Sequence, residues 1–269
     1  MPSSNPAFSR GFPGATNSAP NATWGQGPQQ QYGAPAQQNP YAQPSPYAAS
    51  GTQYMTMDDV VTKTGISFLV TVLAAAAVWA LPGQAAWGLA MPAAIIALVV
   101  GLVISFKQIA NPVATLAYAA LMGAAVGAIS EAFNTVYPGI VVQAVIGTFG
   151  VFFGMLVVYK TGAIRVTPKL TRWIVGAMFG VLALMLVNLV ASLFGFNTGL
   201  RDGGPIAIVF SLVVIGVAAF SLLLDFDMAD EAIRRGAPPK FAWYIAFGLL
   251  VTVIWLYLEI LRLLSYFRE

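Results

Sequence analysis

The last long apolar run of the chain is FAWYIAFGLLVTVIWLYLEILRLL, residues 241–264. Its only charged side chains are Glu259 and Arg262. A helix needs about 20 apolar residues to cross the ~30 Å hydrocarbon core of a bilayer. The run therefore predicts a membrane-spanning helix that carries a carboxylate within the membrane.

Six further runs of similar length precede this one. They cover residues 65–81, 86–106, 113–133, 139–159, 173–194 and 206–227. The runs are about twice the length of a membrane-barrel strand and do not alternate apolar with polar residues. Residues 56–269 are therefore predicted to form an all-α integral membrane domain with seven spans. The first helix is expected to be capped by Thr56, with Asp58 and Asp59 in its first turn.

The composition excludes several classes of protein. The chain is 58% hydrophobic and only 9% charged, whereas soluble domains are about a quarter charged. It has no cysteine and no histidine, so disulfides, Cys/His zinc sites and Ser–His or HExxH hydrolases are excluded. The net charge of +3 is too small to indicate a nucleic-acid partner. We expect a protein that is not an enzyme and has no resident cofactor.

Residues 1–55 differ from the rest of the chain. They are rich in Pro, Gln, Asn and Gly, and their only charge is Arg10. Without apolar periodicity, such a segment cannot bury enough surface to offset its chain entropy. It also lacks the apolar core of a signal peptide. A disordered tail is predicted.

Lysine and arginine divide unevenly between the two sets of loops. The side on which the first helix begins carries Lys63, Lys107, Lys160, Arg165, Lys169, Arg172, Arg234, Arg235 and Lys240. The opposite loops contain only Arg201, and Arg268 follows the last helix. Because cytoplasmic loops carry the excess of basic residues, a cytoplasmic amino terminus is predicted.

Three carboxylates lie at the ends of predicted spans. A charge at mid-membrane costs at least ~2.5 kcal/mol on insertion scales, and it usually faces the bundle interior. Glu131, near the end of the third span, either lies solvated at the interface or lines an outer vestibule. Asp225 and Asp227 either form a solvated helix end or face a neighbouring helix. Successive helical residues turn by about 100°, so at most one of the two faces a given neighbour.

Glu259 lies deepest in the apolar sequence. One interpretation is a local ion pair with Arg262, three residues later, whose long side chain reaches outward. The alternative is a titratable acid that faces a second acid on the sixth helix.

Several segments resemble the Bax inhibitor/YccA family, in its bacterial branch. The segments LDFDMADEAI (224–233) and LYLEILRLL (256–264) resemble the paired signature of that family on its last two helices. Further similarity lies in TMDDVVTKTG (56–65), NPVATLAYAALMGAAVGAIS (111–130) and YPGIVVQAVIGTF (137–149). The resemblance covers residues 56–269 and implies seven helices, with the last one central.

The resemblance also implies a function and a site. Members of the family are described as pH-sensitive calcium leak channels with an acid pair between helices six and seven. Asp227 matches the acid of helix six, with Asp225 as the alternative, and Glu259 matches the acid of helix seven. Lys107 is the only candidate for the basic latch on helix two. The bacterial branch implies a plasma-membrane location.

The predicted mechanism is proton sharing. Two carboxylates in one low-dielectric pocket share a proton at low pH and repel each other at higher pH. Asp227 and Glu259 would then also bind calcium weakly and transiently. Pairing needs the last span to begin near Leu249, since in a helix that begins at Phe241 Glu259 lies about 27 Å from the start.

The sequence thus predicts a multi-pass membrane protein whose partners are lipid, protons and calcium ions. One alternative is a non-transporting scaffold that regulates a membrane protease or stress response through a membrane-protein partner. A secondary transporter ranks lowest, because no inverted repeat is visible.

Overall fold

The computed structural model describes residues 54–81, 83–196 and 199–268. The predicted tail of residues 1–55 lies almost wholly outside these ranges. The described residues contain no strand and form seven α-helices: α1 (Met57–Trp79), α2 (Gly83–Lys107), α3 (Pro112–Val136), α4 (Ile140–Thr161), α5 (Pro168–Leu193), α6 (Pro205–Arg234) and α7 (Phe241–Tyr266). All seven are long and apolar enough to cross a membrane, so the predicted fold class is confirmed.

Local chemistry explains where three helices begin. Thr56 forms a capping box, in which its hydroxyl accepts from the Asp59 amide (3.2 Å) and the Asp59 carboxylate accepts from the Thr56 amide (3.1 Å). Asn111 caps α3 and Thr167 caps α5, each followed by a proline in the first turn. These side chains satisfy amides that have no partner inside the helix.

The last helix is the core of the bundle. α7 contacts α6, α1, α4 and α3. In its most apolar stretch 72% of residues are buried, against 11% in the peripheral helix α5. Leu250, Leu256 and Leu261 are fully buried. A central last helix, as the sequence analysis expected, is what the structure shows.

Two glycines set the closest helix–helix approach. A Cβ atom added to Gly123 would lie 2.4 Å from the Thr71 carbonyl oxygen, and one added to Gly127 would lie 2.4 Å from the Ala75 carbonyl oxygen. Small residues allow helix backbones to approach closely in membranes. This GxxxG motif therefore packs α3 against α1 within the chain.

One end of the bundle, here called the basic end, gathers the starts of α1, α3 and α7. The Met55 amide donates to the Ala237 carbonyl (2.8 Å) and Lys63 Nζ to the Pro239 carbonyl (2.6 Å), so the start of α1 is tied to the α6–α7 loop. Thr115 Oγ1 donates to the Trp243 carbonyl (3.1 Å) and joins α3 to α7. At the other end, here called the far end, Arg268 donates to the Pro138 carbonyl (2.9 Å).

Candidate functional site

Asp225 is the carboxylate of α6 that faces the central helix. A Cβ atom added to Gly248 of α7 would lie 3.7 Å from Asp225 Oδ1, and the Thr252 side chain interacts with the same carboxyl group. Asp225 Oδ2 is buried and has no hydrogen-bond partner among the described residues. This distance is ordinary van der Waals contact, so Gly248 places the backbone of α7 directly beside the carboxylate.

Asp227 points to a different side of α6. The Tyr159 hydroxyl of α4 lies 3.4 Å from Asp227 Oδ1 and 3.4 Å from Asp230 Oδ2, which are long contacts. Asp227 also lines a cavity of about 480 Å³ with Arg172 and Thr171 of α5. The two neighbouring acids of α6 therefore serve different interfaces, and the acid beside α7 is Asp225 rather than Asp227.

Glu259 is the deepest carboxylate at the far end of α7. It is only 3% exposed, and its Oε1 accepts from Arg201 Nη2 (3.2 Å) and from Arg262 Nη1 (3.2 Å). The pairing with Arg262 is the local one considered from the sequence. Glu259 Oε2 is buried without a hydrogen-bond partner among the described residues.

Arg201 is the functional candidate that sequence reasoning missed. It lies in the loop between α5 and α6, 58 residues before its partner. The sequence analysis used it only as a topology marker. The sequence feature that could have identified it is its position, because Arg201 is the one basic residue in the loops of the far end. The buried carboxylate of Glu259 accounts for this exception.

The structure does not bring Asp227 and Glu259 together, which corrects the predicted acid pair. α7 is one continuous helix from Phe241, so the later start that pairing required does not occur. Glu259 lies 11 residues beyond Gly248, about 16 Å along the helix axis. A proton or a calcium ion shared by the two carboxylates is incompatible with this separation. The described residues also contain no cluster of three or more potential metal-ligating side chains of Asp, Glu, His or Cys.

The predicted latch also lies elsewhere. Lys107 is exposed at the end of α2, a helix that packs mainly on α3. Within the described ranges it forms no ion pair with an acid of α6. Arg172, which shares a cavity with Asp227, is the basic residue beside that acid.

Glu131 lies near the far end of α3 and is half-buried. Thr135 Oγ1, one turn later on the same helix, donates to Glu131 Oε1 (3.2 Å). This contact holds the carboxylate against its own helix end.

An apolar layer separates Asp225 from Glu259. Going from the level of Asp225 toward Glu259, the α6–α7 interface contains Leu222, Leu256 and Ala218, each 0% exposed. The two carboxylates therefore lie in separate polar pockets.

Comparison with known proteins agrees with this architecture. A family model described as Bax inhibitor 1 like matches residues 5–269. The match extends past the resemblance seen in residues 56–269 and includes most of the amino-terminal segment. No curated protein matches the chain. Because the family model covers nearly the whole sequence, the chain belongs to the Bax inhibitor 1 like family.

Proposed function

We propose that the protein is a pH-sensitive cation leak channel of the plasma membrane, with Asp225 as its proton-sensitive group. The observation that carries the proposal is a buried carboxylate between α6 and the central helix with no cationic partner in the described chain. An acid in this position has a functional explanation more readily than a structural one, because intramembrane carboxylates are costly.

The proposed opening mechanism follows from charge in an apolar interface. A protonated Asp225 is neutral and compatible with the packed interface, whereas an ionised one needs water or a cation beside it. Admitting either would separate α6 from α7 next to Leu222 and Leu256. Calcium suits a carboxylate ligand, and the leak is expected to rise with pH as Asp225 ionises.

No cation among the described residues pairs with Asp225. From α7 it faces Thr252 and Gly248, which carry no charge. Tyr159 of α4 contacts Asp227 and Asp230, and Arg172 of α5 lines the cavity of Asp227.

Glu259 has a different proposed role. Its ion pair with Arg201 holds the α5–α6 loop on the central helix at the far end, and Arg262 of the same helix pairs with the same carboxylate. We expect this contact to stabilise the closed arrangement, so its loss would raise the leak at every pH without removing the dependence on pH.

The proposed orientation places the basic end in the cytoplasm. Nine lysines and arginines lie at that end, while Arg201, Arg262 and Arg268 lie toward the other. The positive-inside rule then favours a cytoplasmic start of α1 and an external Arg201–Glu259 contact.

The first test is efflux from liposomes that contain only the purified full-length protein. Calcium-loaded vesicles are followed from about pH 5 to about pH 8, with empty vesicles as the control. A protein-dependent efflux that rises with pH supports the channel. If protein-containing and empty vesicles behave alike, the channel proposal fails and the non-transporting scaffold becomes the better account.

A further inference from the structure

A second surface cavity on α5 has no acid and no residue of the central helix among its described lining, and it shares Arg172 with the cavity of Asp227. Its volume is about 630 Å³, and it is lined by Lys169, Arg172, Trp173, Gly176 and Ala177. All five residues come from one helix. The part of the cavity wall that the structure describes is therefore one outward face of α5, here called the cleft.

The lining residues change in character along the helix. At about 100° and 1.5 Å per residue they share one side of α5, and Gly176 lies about 10 Å beyond Lys169. The two cations and the indole lie at the basic end, and the two small residues lie further into the apolar span. The cleft thus combines a cationic mouth with an apolar floor.

The floor of the cleft is not filled by another helix. A Cβ atom added to Gly176 or to Gly180, one turn further, would meet nothing within 4 Å. This GxxxG motif therefore differs from that of Gly123 and Gly127, which packs helices within the chain. As sequence, the two motifs have the same spacing of glycines.

The cations at the mouth are available to a ligand. Lys169 and Arg172 are exposed, and in the described chain neither forms an ion pair with an acid. Arg172 Nε donates to the Pro168 carbonyl (3.1 Å), which leaves its terminal nitrogens free to bind a ligand. Trp173 is 71% exposed, and tryptophan is enriched at the level of lipid headgroups.

We propose that this cleft binds one anionic phospholipid. Its phosphate lies between Lys169 and Arg172, its glycerol region lies beside Trp173, and one acyl chain runs along Gly176 and Gly180. Arginine and lysine both bind phosphate, arginine with two parallel hydrogen bonds. The phosphate of the lipid then lies beside the two cations, and its acyl chain lies beside the small residues deeper in the span.

Charge argues against a second copy of the chain as the occupant. A symmetric pair packed through Gly176 and Gly180 would bring two copies of Lys169 and Arg172 to the same interface. Like charges held together in this way repel. An anionic lipid has the opposite, complementary charge.

The test counts lipids bound to the detergent-solubilised full-length protein by native mass spectrometry. Phosphatidylglycerol and phosphatidylcholine with the same acyl chains are the probes. We expect phosphatidylglycerol to bind the wild type in preference to phosphatidylcholine. The double variant Lys169→Gln/Arg172→Gln should weaken phosphatidylglycerol binding about 25-fold, since each basic residue near an anionic lipid contributes about a factor of five.

Two controls make the result specific to the cleft. Lys160→Gln/Arg165→Gln removes the same charge from the same end of the bundle but not from the cleft, and it should change binding by less than about twofold. Gly176→Leu keeps every charge but fills the floor, where the backbone has room for a side chain, so it should also weaken binding. Brominated phosphatidylglycerol quenches the fluorescence of a tryptophan that it contacts. The emission that is missing in Trp173→Phe belongs to Trp173, so quenching of that emission in the wild type places the lipid beside this residue.

Three outcomes would overturn the proposal. Equal losses in the two double variants would indicate attraction to the whole basic end. If Gly176→Leu unfolds at the wild-type temperature and binds phosphatidylglycerol as tightly as the wild type, the acyl chain does not lie in the cleft. Competition by glycerol phosphate as effective as that by the lipid would indicate a site for a free phosphate ester.

Discussion

The contact between Arg201 and Glu259 yields the sharpest stability prediction. Changing Arg201 to Gln leaves a carboxylate that is 3% exposed with Arg262 as its remaining cation. Removing one partner of a buried ion pair costs about 3–5 kcal/mol. Because Arg262 stays 3.2 Å from the same oxygen and the Arg201 side chain is 24% exposed, we expect a smaller loss of about 1–3 kcal/mol in the free energy of unfolding.

The assay is a double-mutant cycle in detergent micelles at neutral pH. Arg201→Gln, Glu259→Gln and the double variant are unfolded reversibly, and the coupling energy is the departure from additivity. The matched control is the exposed pair of Arg235 with Glu231, whose side chains are 76% and 43% exposed. That pair should couple by less than about 1 kcal/mol. Equal coupling in the two cycles would refute a buried ion pair at the far end.

Two further predictions concern packing. Gly127→Ala should lower the free energy of unfolding by about 1–3 kcal/mol or more, because its Cβ would lie 2.4 Å from the Ala75 carbonyl oxygen. The control Gly180→Ala, measured by the same thermal unfolding, should be neutral or slightly stabilising. Equal losses of stability in the two variants would contradict the account. Tyr257→Phe should lower the free energy of unfolding by about 1 kcal/mol, since it removes the buried 2.7 Å hydrogen bond to Ser130; a variant as stable as the wild type would show that this bond contributes nothing.

The fold could be predicted from the sequence because the lipid solvent leaves few options. Apolar runs of more than about 17 residues with polar breaks specify helices of membrane length. Thr56 identified the start of α1 through its capping chemistry alone. The central position of α7 came only from the family resemblance, since the length and hydropathy of the seven runs are similar.

The site could be predicted only in part. Asp225 and Asp227 are about 200° apart on α6, so the sequence shows that they diverge. It does not show which one faces α7, because the rotation of α6 depends on the packing of all its neighbours. The contact of Arg201 with Glu259 joins a loop to a helix 58 residues away, and no local pattern encodes it.

The prediction that Glu259 lies at the same membrane depth as Asp227 is wrong. Pairing with Asp227 requires α7 to begin near Leu249, and Trp243 and Tyr244 before it are residue types that also occur at a membrane interface. Instead, the residues from Phe241 onward continue the same helix, with Ala242, Ile245 and Ala246 buried against the bundle. Burial of these side chains makes the longer helix the more stable arrangement.

The most direct test of the account is the pH profile of calcium efflux from liposomes for Asp225→Asn and Asp227→Asn beside the wild type. The two substitutions are chemically identical and two residues apart, so they differ only in the interface that each carboxyl faces. The account predicts a flat profile for Asp225→Asn and a wild-type rise with pH for Asp227→Asn. A flat profile for Asp227→Asn together with a normal rise for Asp225→Asn would contradict it.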